Sequence, residues 1–314
     1  MNRVDETFEL MGGSGRVRLE SAGHDDDELE LAAARVRGVL DEAEWALTRF
    51  RPSSELCTLN RDERAAVPAS PLMRALVLAA RDAAAASGGL VDATLVDAIE
   101  AAGYRRTRRG ETAPPLGVAL ARAPARRAAR PRHDSQVAAI GVDERGRVAR
   151  PPGVRIDSGG IAKGLAADLA AATVPAGVRY AIVCCGDMAV GGPAPTEVAV
   201  TSAWTGAEAH RLLVDGGGVA TSAIHARLWR RPDGSYAHHL LDPCTGTPAW
   251  TGLVAATAVA DSALDAEVLA KTALLSGPEG GRRLLRRHGG VLQHDSGRVE
   301  VVPALRPARF LVAA

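Results

Sequence analysis

The sequence predicts an α+β fold. Stretches with strand character and stretches with helical character follow one another without strict strand–helix–strand order, which argues against a parallel doubly wound sheet. No internal repeat is visible in the 314 residues. An apolar fraction of 46% beside 24% charged residues is enough for a sizeable core. The chain is expected to form one domain over residues 1–314.

Residues 8–20 have strand character, broken at Met11-Gly12-Gly13. The acidic run Asp25 to Glu28 then opens a helix, because negative charge complements the amide end of the helix dipole. Val36, Val39, Leu40, Ala43 and Leu47 recur at helical spacing and form its apolar face. A loop follows at Arg51-Pro52-Ser53-Ser54-Glu55. Ser70-Pro71 starts the next helix and Gly88-Gly89 stops it.

Residues 105–135 are rich in Arg, Ala and Pro with little periodicity. They are expected to form an exposed, mobile excursion, or else a basic interaction patch. Beyond them come a short strand Val154–Ile156, a glycine turn, a helix over 161–172 and a buried-type strand Tyr180–Cys185. Two or three further strands reach residue 222. Arg231-Pro232-Asp233-Gly234 turns a hairpin between Ala226–Arg230 and Ser235–Leu241. A helix Leu264–Leu275 is stopped by Gly277-Pro278. Another follows over Gly280–His288, then a final strand pair to Val312.

The bulk composition excludes several classes of function. A net charge of +1 lacks the basic footprint of a nucleic-acid binder, and 3% aromatic residues leave little for base stacking. No stretch has the roughly 18 apolar residues of a membrane span. The N-terminus carries Arg3, Asp5 and Glu6 and no apolar run of signal-peptide length, so the expected location is cytoplasmic. Cys57, Cys184, Cys185 and Cys244 lack zinc-finger spacing, which suits a reducing compartment.

Only two of the 38 basic residues are lysines. An ammonium is a compact point charge and a guanidinium a planar fork, so a tight site can demand one and refuse the other. Lys163 lies in Asp157-Ser158-Gly159-Gly160-Ile161-Ala162-Lys163-Gly164, a glycine turn entering a helix. Such a turn either holds phosphate on free N–H groups and the lysine, or is simply a tight corner. Lys271 follows Glu267 at i, i+4 on a helix whose neighbours Val268, Leu269, Ala270, Ala273 and Leu274 are apolar. The pair is either an exposed ion pair or part of a buried face. In His238-His239-Leu240-Leu241-Asp242-Pro243, successive side chains on a strand point to opposite faces, so at most one histidine faces a given pocket. Histidine suits proton abstraction from a hydroxyl near neutral pH. A pair of surface hydrogen-bonding histidines is the other reading.

Taken in order, these segments resemble the FAD:protein FMN transferases, the ApbE-type flavin transferases. The blocks are Leu10-Met11-Gly12; Arg49 to Leu56 with Asn60; Gly88-Gly89-Leu90-Val91-Asp92-Ala93-Thr94; Asp157 to Gly164 with Asp168; Gly186-Asp187; Ala220-Thr221-Ser222; His239 to Pro248; and Glu267 to Gly277. The resemblance implies an ApbE-type fold of mixed sheets flanked by helices. It also implies transfer of FMN from FAD to a Ser or Thr hydroxyl of an acceptor protein, with release of AMP. Met11, Phe50, Leu90, Val91, Asp92, Asp157, Lys163 and Leu241 would line the FAD site, and His239 would help deprotonate the acceptor hydroxyl.

The same resemblance implies Mg²⁺, held by a backbone carbonyl at Gly160 and by an Asp and a Thr at i, i+4 on the late helix. Here Glu267 and Lys271 stand at those two positions. A protonated lysine cannot ligate a metal. Either a divalent ion is held by other groups, such as Asp261 or Asp265, or the Lys271 ammonium stands where the ion would and faces the FAD pyrophosphate. Two further departures are Cys244 in place of the family's Arg after Asp-Pro, and a segment before Gly186-Asp187 that is one residue short. The alternatives are a non-catalytic FAD-binding relative, and an FAD pyrophosphatase releasing AMP and FMN.

Overall fold

The computed structural model describes residues 1–305 apart from residue 109, together with the backbone of Phe310–Leu311. Its centre is one eight-stranded sheet. The strand order is Asn2–Leu10, Gly13–Ser21, Arg179–Cys184, Asp187–Gly191, Gly217–Ala223, Leu253–Ala260, Gly290–His294 and Val299–Val302. Every pairing in it is antiparallel.

Both faces of the sheet's middle are covered. The helices Asp26–Leu47, Ala162–Ala171 and Ala263–Leu275 pack on one face. On the other, Val198 and Val214 of a three-stranded sheet meet Val190, Val219 and Val259. Side chains alternate along a strand, so Val219 and Val259 face the small sheet while Ala220, Ala258 and Ala260 face the helices. The strand Leu253–Ala260 is accordingly buried at every position and is apolar except for Thr257.

Most elements lie where the sequence puts them. Asp25 and Glu28 form a full capping box on the Asp26–Leu47 helix. Ser70 caps Pro71–Ala86 by accepting from the Met73 N–H. The hairpin turn at Arg231 closes through a bond from Arg231 N to Ser235 O of 2.8 Å, joining Leu228–Arg230 to Tyr236–His238.

Four expectations change. The strand over 8–20 is a two-strand hairpin beginning at Asn2, in which Met11-Gly12 is the turn with φ of 46° and 74°. Both residues need the left-handed region that type I′ hairpin turns require. The expected strand Val154–Ile156 does not form. Instead the Asn60 carboxamide donates to Ile156 O and accepts from Ile156 N, both at 2.8 Å, giving that backbone the two bonds a neighbouring strand would supply. Third, short helices at Glu55–Arg61, Val96–Ala101 and Leu116–Ala121 carry too few turns to show a periodicity. Fourth, the last large helix is Gly277–Leu285, and the expected end of the chain's final strand at Val312 lies outside the described residues.

Residues 105–135, expected as an exposed excursion, are tied down over their second half. Arg127 N donates to Trp250 O, Ala129 N to Leu275 O, and Arg130 N to the Asp242 carboxylate, at 2.8–3.0 Å. That lays the segment against the end of the Ala263–Leu275 helix and the loop after His239.

Candidate active site

A cavity of about 780 Å³ opens between the sheet, the helices and the loops of the first hundred residues. That volume falls within the range of cofactor pockets. Eleven of the twelve residues expected at the site line it; the twelfth, Glu267, lies just behind Lys163.

The glycine turn is its floor. Asp157 N donates to Ala93 O at 2.7 Å and Ser158 Oγ to Leu47 O at 2.6 Å, which fastens the turn to two other walls. The Ala162–Ala171 helix starts there with no side-chain cap. Its positive end borders the cavity, with the Gly164 N–H already taken by the Glu267 carboxylate. Gly164 is required by packing: an added Cβ would lie 2.5 Å from Ala263 O and 2.6 Å from the Leu264 Cα. Asp168, one turn along, accepts from Ala263 N at 2.8 Å and Leu264 N at 2.9 Å, locking the two helices together. Gly164→Ala should push backbone against backbone and lower stability by about 1–3 kcal/mol, measurable by denaturant unfolding. An unchanged midpoint would mean that the helices separate without cost.

Behind the floor lies a charge cluster. The Lys163 ammonium bridges the buried carboxylates of Asp187 and Glu267, with the Glu267 Oε1 contact at 2.6 Å. Glu267 Oε2 accepts from Gly164 N at 2.8 Å. Burial, together with Glu267, pushes Asp187 up to about 6 against the pull of Lys163. Burial works against the Lys163 charge, but the two carboxylates outweigh it and hold the ammonium well above its usual range. Lys163 is thus a half-buried clamp on two buried carboxylates, and it also lines the cavity wall.

Lys271 is placed differently. It lines the cavity beside Gly160, where an added Cβ would lie 2.5 Å from its Nζ. Among the described residues it makes no hydrogen bond or ion pair. Burial is the main influence on it and lowers its pKa.

These residues do not fit a divalent cation. Both Glu267 oxygens are already engaged, and an ammonium stands at Gly160. Among the described residues no group of three His, Cys, Asp or Glu side chains could hold a metal. A dication about 4 Å from the Lys271 charge would be repelled by roughly 8 kcal/mol at an effective dielectric of 20.

His238 ends the strand Tyr236–His238 and His239 lies in the bend that follows, and the two side chains go to different places. His239 lines the cavity, with Nδ1 buried and unpartnered among the described residues. Its pKa is well below the usual value, through burial first and then the neighbouring His238, Lys271, Arg227 and Lys163. The imidazole is therefore neutral and able to accept a proton. His238 is fully buried, edge-on to Trp250 with ring centroids 4.7 Å apart, and burial pushes it down to about 3.

Phe50 and Tyr104 give the cavity an aromatic wall. Phe50 and Tyr104 meet edge to face at 5.3 Å, and Tyr104 stacks on Trp229 at 5.6 Å. Arg49 lies against both Phe50 and Tyr104 and pairs with Asp157. Leu90, Val91 and Leu241 supply apolar wall, and Met11 enters from its hairpin turn. Asp92 contributes backbone to the wall, but its carboxylate is spent on Thr94, Ser135 and Arg132 and serves to hold the loop.

Sequence reasoning missed Tyr104, Arg49 as a site residue, and Arg227. Tyr104 borders the poorly patterned 105–135 stretch. The two arginines are hidden in a chain whose basic residues are nearly all arginine.

Comparison with known proteins agrees with this geometry. The chain is 27% identical over 285 residues to the FAD:protein FMN transferase of Klebsiella pneumoniae, covering 87% of this chain and 79% of that one. It is 33% identical over 97 residues to the enzyme of that name from Escherichia coli, covering 30% of this chain and 27% of the other. In fold it matches the crystal structure of the ApbE protein of Thermotoga maritima, with a TM-score of 0.78 at 22% identity over 96% of this chain and 97% of that one. It also matches the apo flavinyl transferase ApbE of Pseudomonas stutzeri, with a TM-score of 0.74 at 24% identity over 96% and 95%. The model of the ApbE family matches residues 11–293, a span running from the Met11 turn past the helix that carries Lys271, and the chain belongs to that family.

Proposed function

We propose that this protein is an FAD:protein FMN transferase, moving FMN from FAD to a Ser or Thr hydroxyl of an acceptor protein and releasing AMP. The observation that carries this reading is one cavity lined by Phe50 and Tyr104, by a cationic glycine-turn floor and by a neutral histidine under the influence of Lys271, Arg227 and Lys163. The aromatic and apolar walls, with Met11, Phe50, Leu90, Val91 and Leu241, suit a flavin or adenine ring. The floor, with Asp157 orienting Arg49 and with Lys163 and Lys271, suits a diphosphate. Asp92 supports the site by holding its loop.

In the proposed reaction the acceptor Oγ attacks the FMN-side phosphorus. An O–P bond forms, the bridging P–O bond breaks, and the bridging oxygen leaves with AMP. His239 takes the hydroxyl proton. Little covalent chemistry is asked of the protein, so positioning and charge neutralisation dominate. The diphosphate brings negative charge beside His239 and raises its depressed basicity, so the base strengthens only when the donor is bound.

No described helix is long and apolar enough to cross a membrane. All four cysteines are free, which supports a reducing, cytoplasmic setting for the acceptor.

The test is AMP release from FAD by the purified chain with a threonine-bearing acceptor domain, read together with covalent flavin fluorescence on the acceptor. Acceptor-dependent AMP with a labelled acceptor is the expected result. AMP and free FMN without acceptor would instead make it a pyrophosphatase. Bound FAD with no AMP across several acceptors would make it a flavin-binding relative.

A further inference from the structure

We propose that this chain neutralises the diphosphate of its flavin donor with two side-chain cations, Lys271 and Arg227, and needs no divalent metal to do so. The inference rests on the FAD reading above and goes beyond it, because it fixes where the positive charge comes from.

Three observations carry it. First, the carboxylates nearest the glycine turn are already satisfied: Asp187 and Glu267 are held by Lys163, and Glu267 also by Gly164 N. Nothing there asks for a cation. Second, Lys271 reaches the cavity beside Gly160 without a hydrogen-bond or ion-pair partner among the described residues, although its stem is packed on a mostly buried helix. Half-buried in the cavity wall and unpaired, that ammonium has its charge available to an anionic ligand.

Third, Arg227 lines the same cavity and its guanidinium donates only to carbonyls, Gly12 O and Ala226 O, each at 2.8 Å. Among the described residues it has no carboxylate partner. The bond to Gly12 O also fastens the Met11-Gly12 turn, so one arginine both shapes the wall and leaves its charge unspent. A planar guanidinium and a point ammonium in the cavity that His239 lines provide two positive charges for the two negative charges of a diphosphate diester.

The experiment is FAD titration of the full-length apo protein by flavin fluorescence, in excess EDTA and in excess Mg²⁺, with riboflavin as a phosphate-free control. The expected wild-type result is the same FAD affinity in both solutions, and transfer that survives EDTA. Lys271→Met and Arg227→Met should each weaken FAD about 10- to 100-fold, the loss of one hydrogen bond from a charged donor, and leave riboflavin affinity unchanged.

The apo Lys271→Met protein should melt no lower than wild type, since no partner is orphaned. A lower melting temperature would mark Lys271 as a structural ion-pair member and overturn the proposal. An equal loss of riboflavin and FAD affinity would overturn it too, by assigning the effect to pocket shape. FAD binding or transfer that requires Mg²⁺ refutes metal independence while leaving the transferase reading intact. A wild type that binds no FAD in either solution would instead refute the transferase reading.

Discussion

His239→Asn lowers FMN transfer by about 10²- to 10⁴-fold, the usual contribution of a positioned general base, while FAD still binds. The amide keeps a polar side chain at the cavity wall but cannot accept the acceptor's proton. Binding is spared because the proposed diphosphate contacts lie on Lys271, Arg227 and the glycine turn. The pH profile provides a second readout. The His239 pKa is depressed in the free protein, so the neutral base persists into acid, and the acid limb of kcat/KM should fall below the ordinary histidine range near 6.5. Bound FAD adds negative charge and moves the limb for kcat upward. An acid limb at the same pH in both profiles would argue against His239 as the base, as would a variant retaining full transfer rate.

Lys163→Met is expected to cost more stability than any other single change discussed. It strips the shared cation from two carboxylates whose side chains are only 3% and 2% exposed, Asp187 and Glu267. Breaking a buried pair in this way costs about 3–5 kcal/mol. In a chain of this length that corresponds to a drop in Tm on the order of 5–10 °C. The loss should shrink in acid. The folded pKa of Asp187 is raised to about 6 from the ordinary carboxylate value, so its favourable contribution is full below the unfolded value and disappears as pH rises through the folded one. Without Lys163 the folded value climbs further. The variant should therefore gain Tm between about pH 8 and pH 5 more steeply than wild type. A variant as stable as wild type at neutral pH would show that Lys163 is dispensable to the cluster.

What was legible in the sequence follows from how locally each feature is encoded. The Asp25–Glu28 and Ser70-Pro71 helix starts are written in neighbouring residues, and both form. The expectation that at most one histidine of the pair faces the pocket holds, but the strand ends at His238 and a bend, not alternation, turns His239 into the cavity. The glycine turn and its lysine were visible because lysine is so rare in this chain. Other features depend on partners far away in sequence. Nothing near Val154–Ile156 shows that its backbone bonds go to the side chain of Asn60, almost a hundred positions earlier. Tyr104 joins the site through Phe50 and Trp229, each a distant residue. That Glu267 faces Lys163, and so is not open to a metal, appears only once the close approach at Gly164 is seen.

The cavity draws on Met11 at one end of the chain and Lys271 near the other, with the glycine turn between them. No fragment shorter than 11–275 contains all its lining residues, and the hairpin Asn2–Ser21 must already lie beside Arg179–Cys184 before the walls meet. Flavin occupancy therefore reports completion of folding. A nascent or clipped chain has no place for the donor, so a truncated copy cannot consume FAD unproductively. Saturating donor would also slow opening of the whole sheet, by RT ln(1 + [L]/Kd), and in hydrogen exchange its protection should reach both termini of the sheet together.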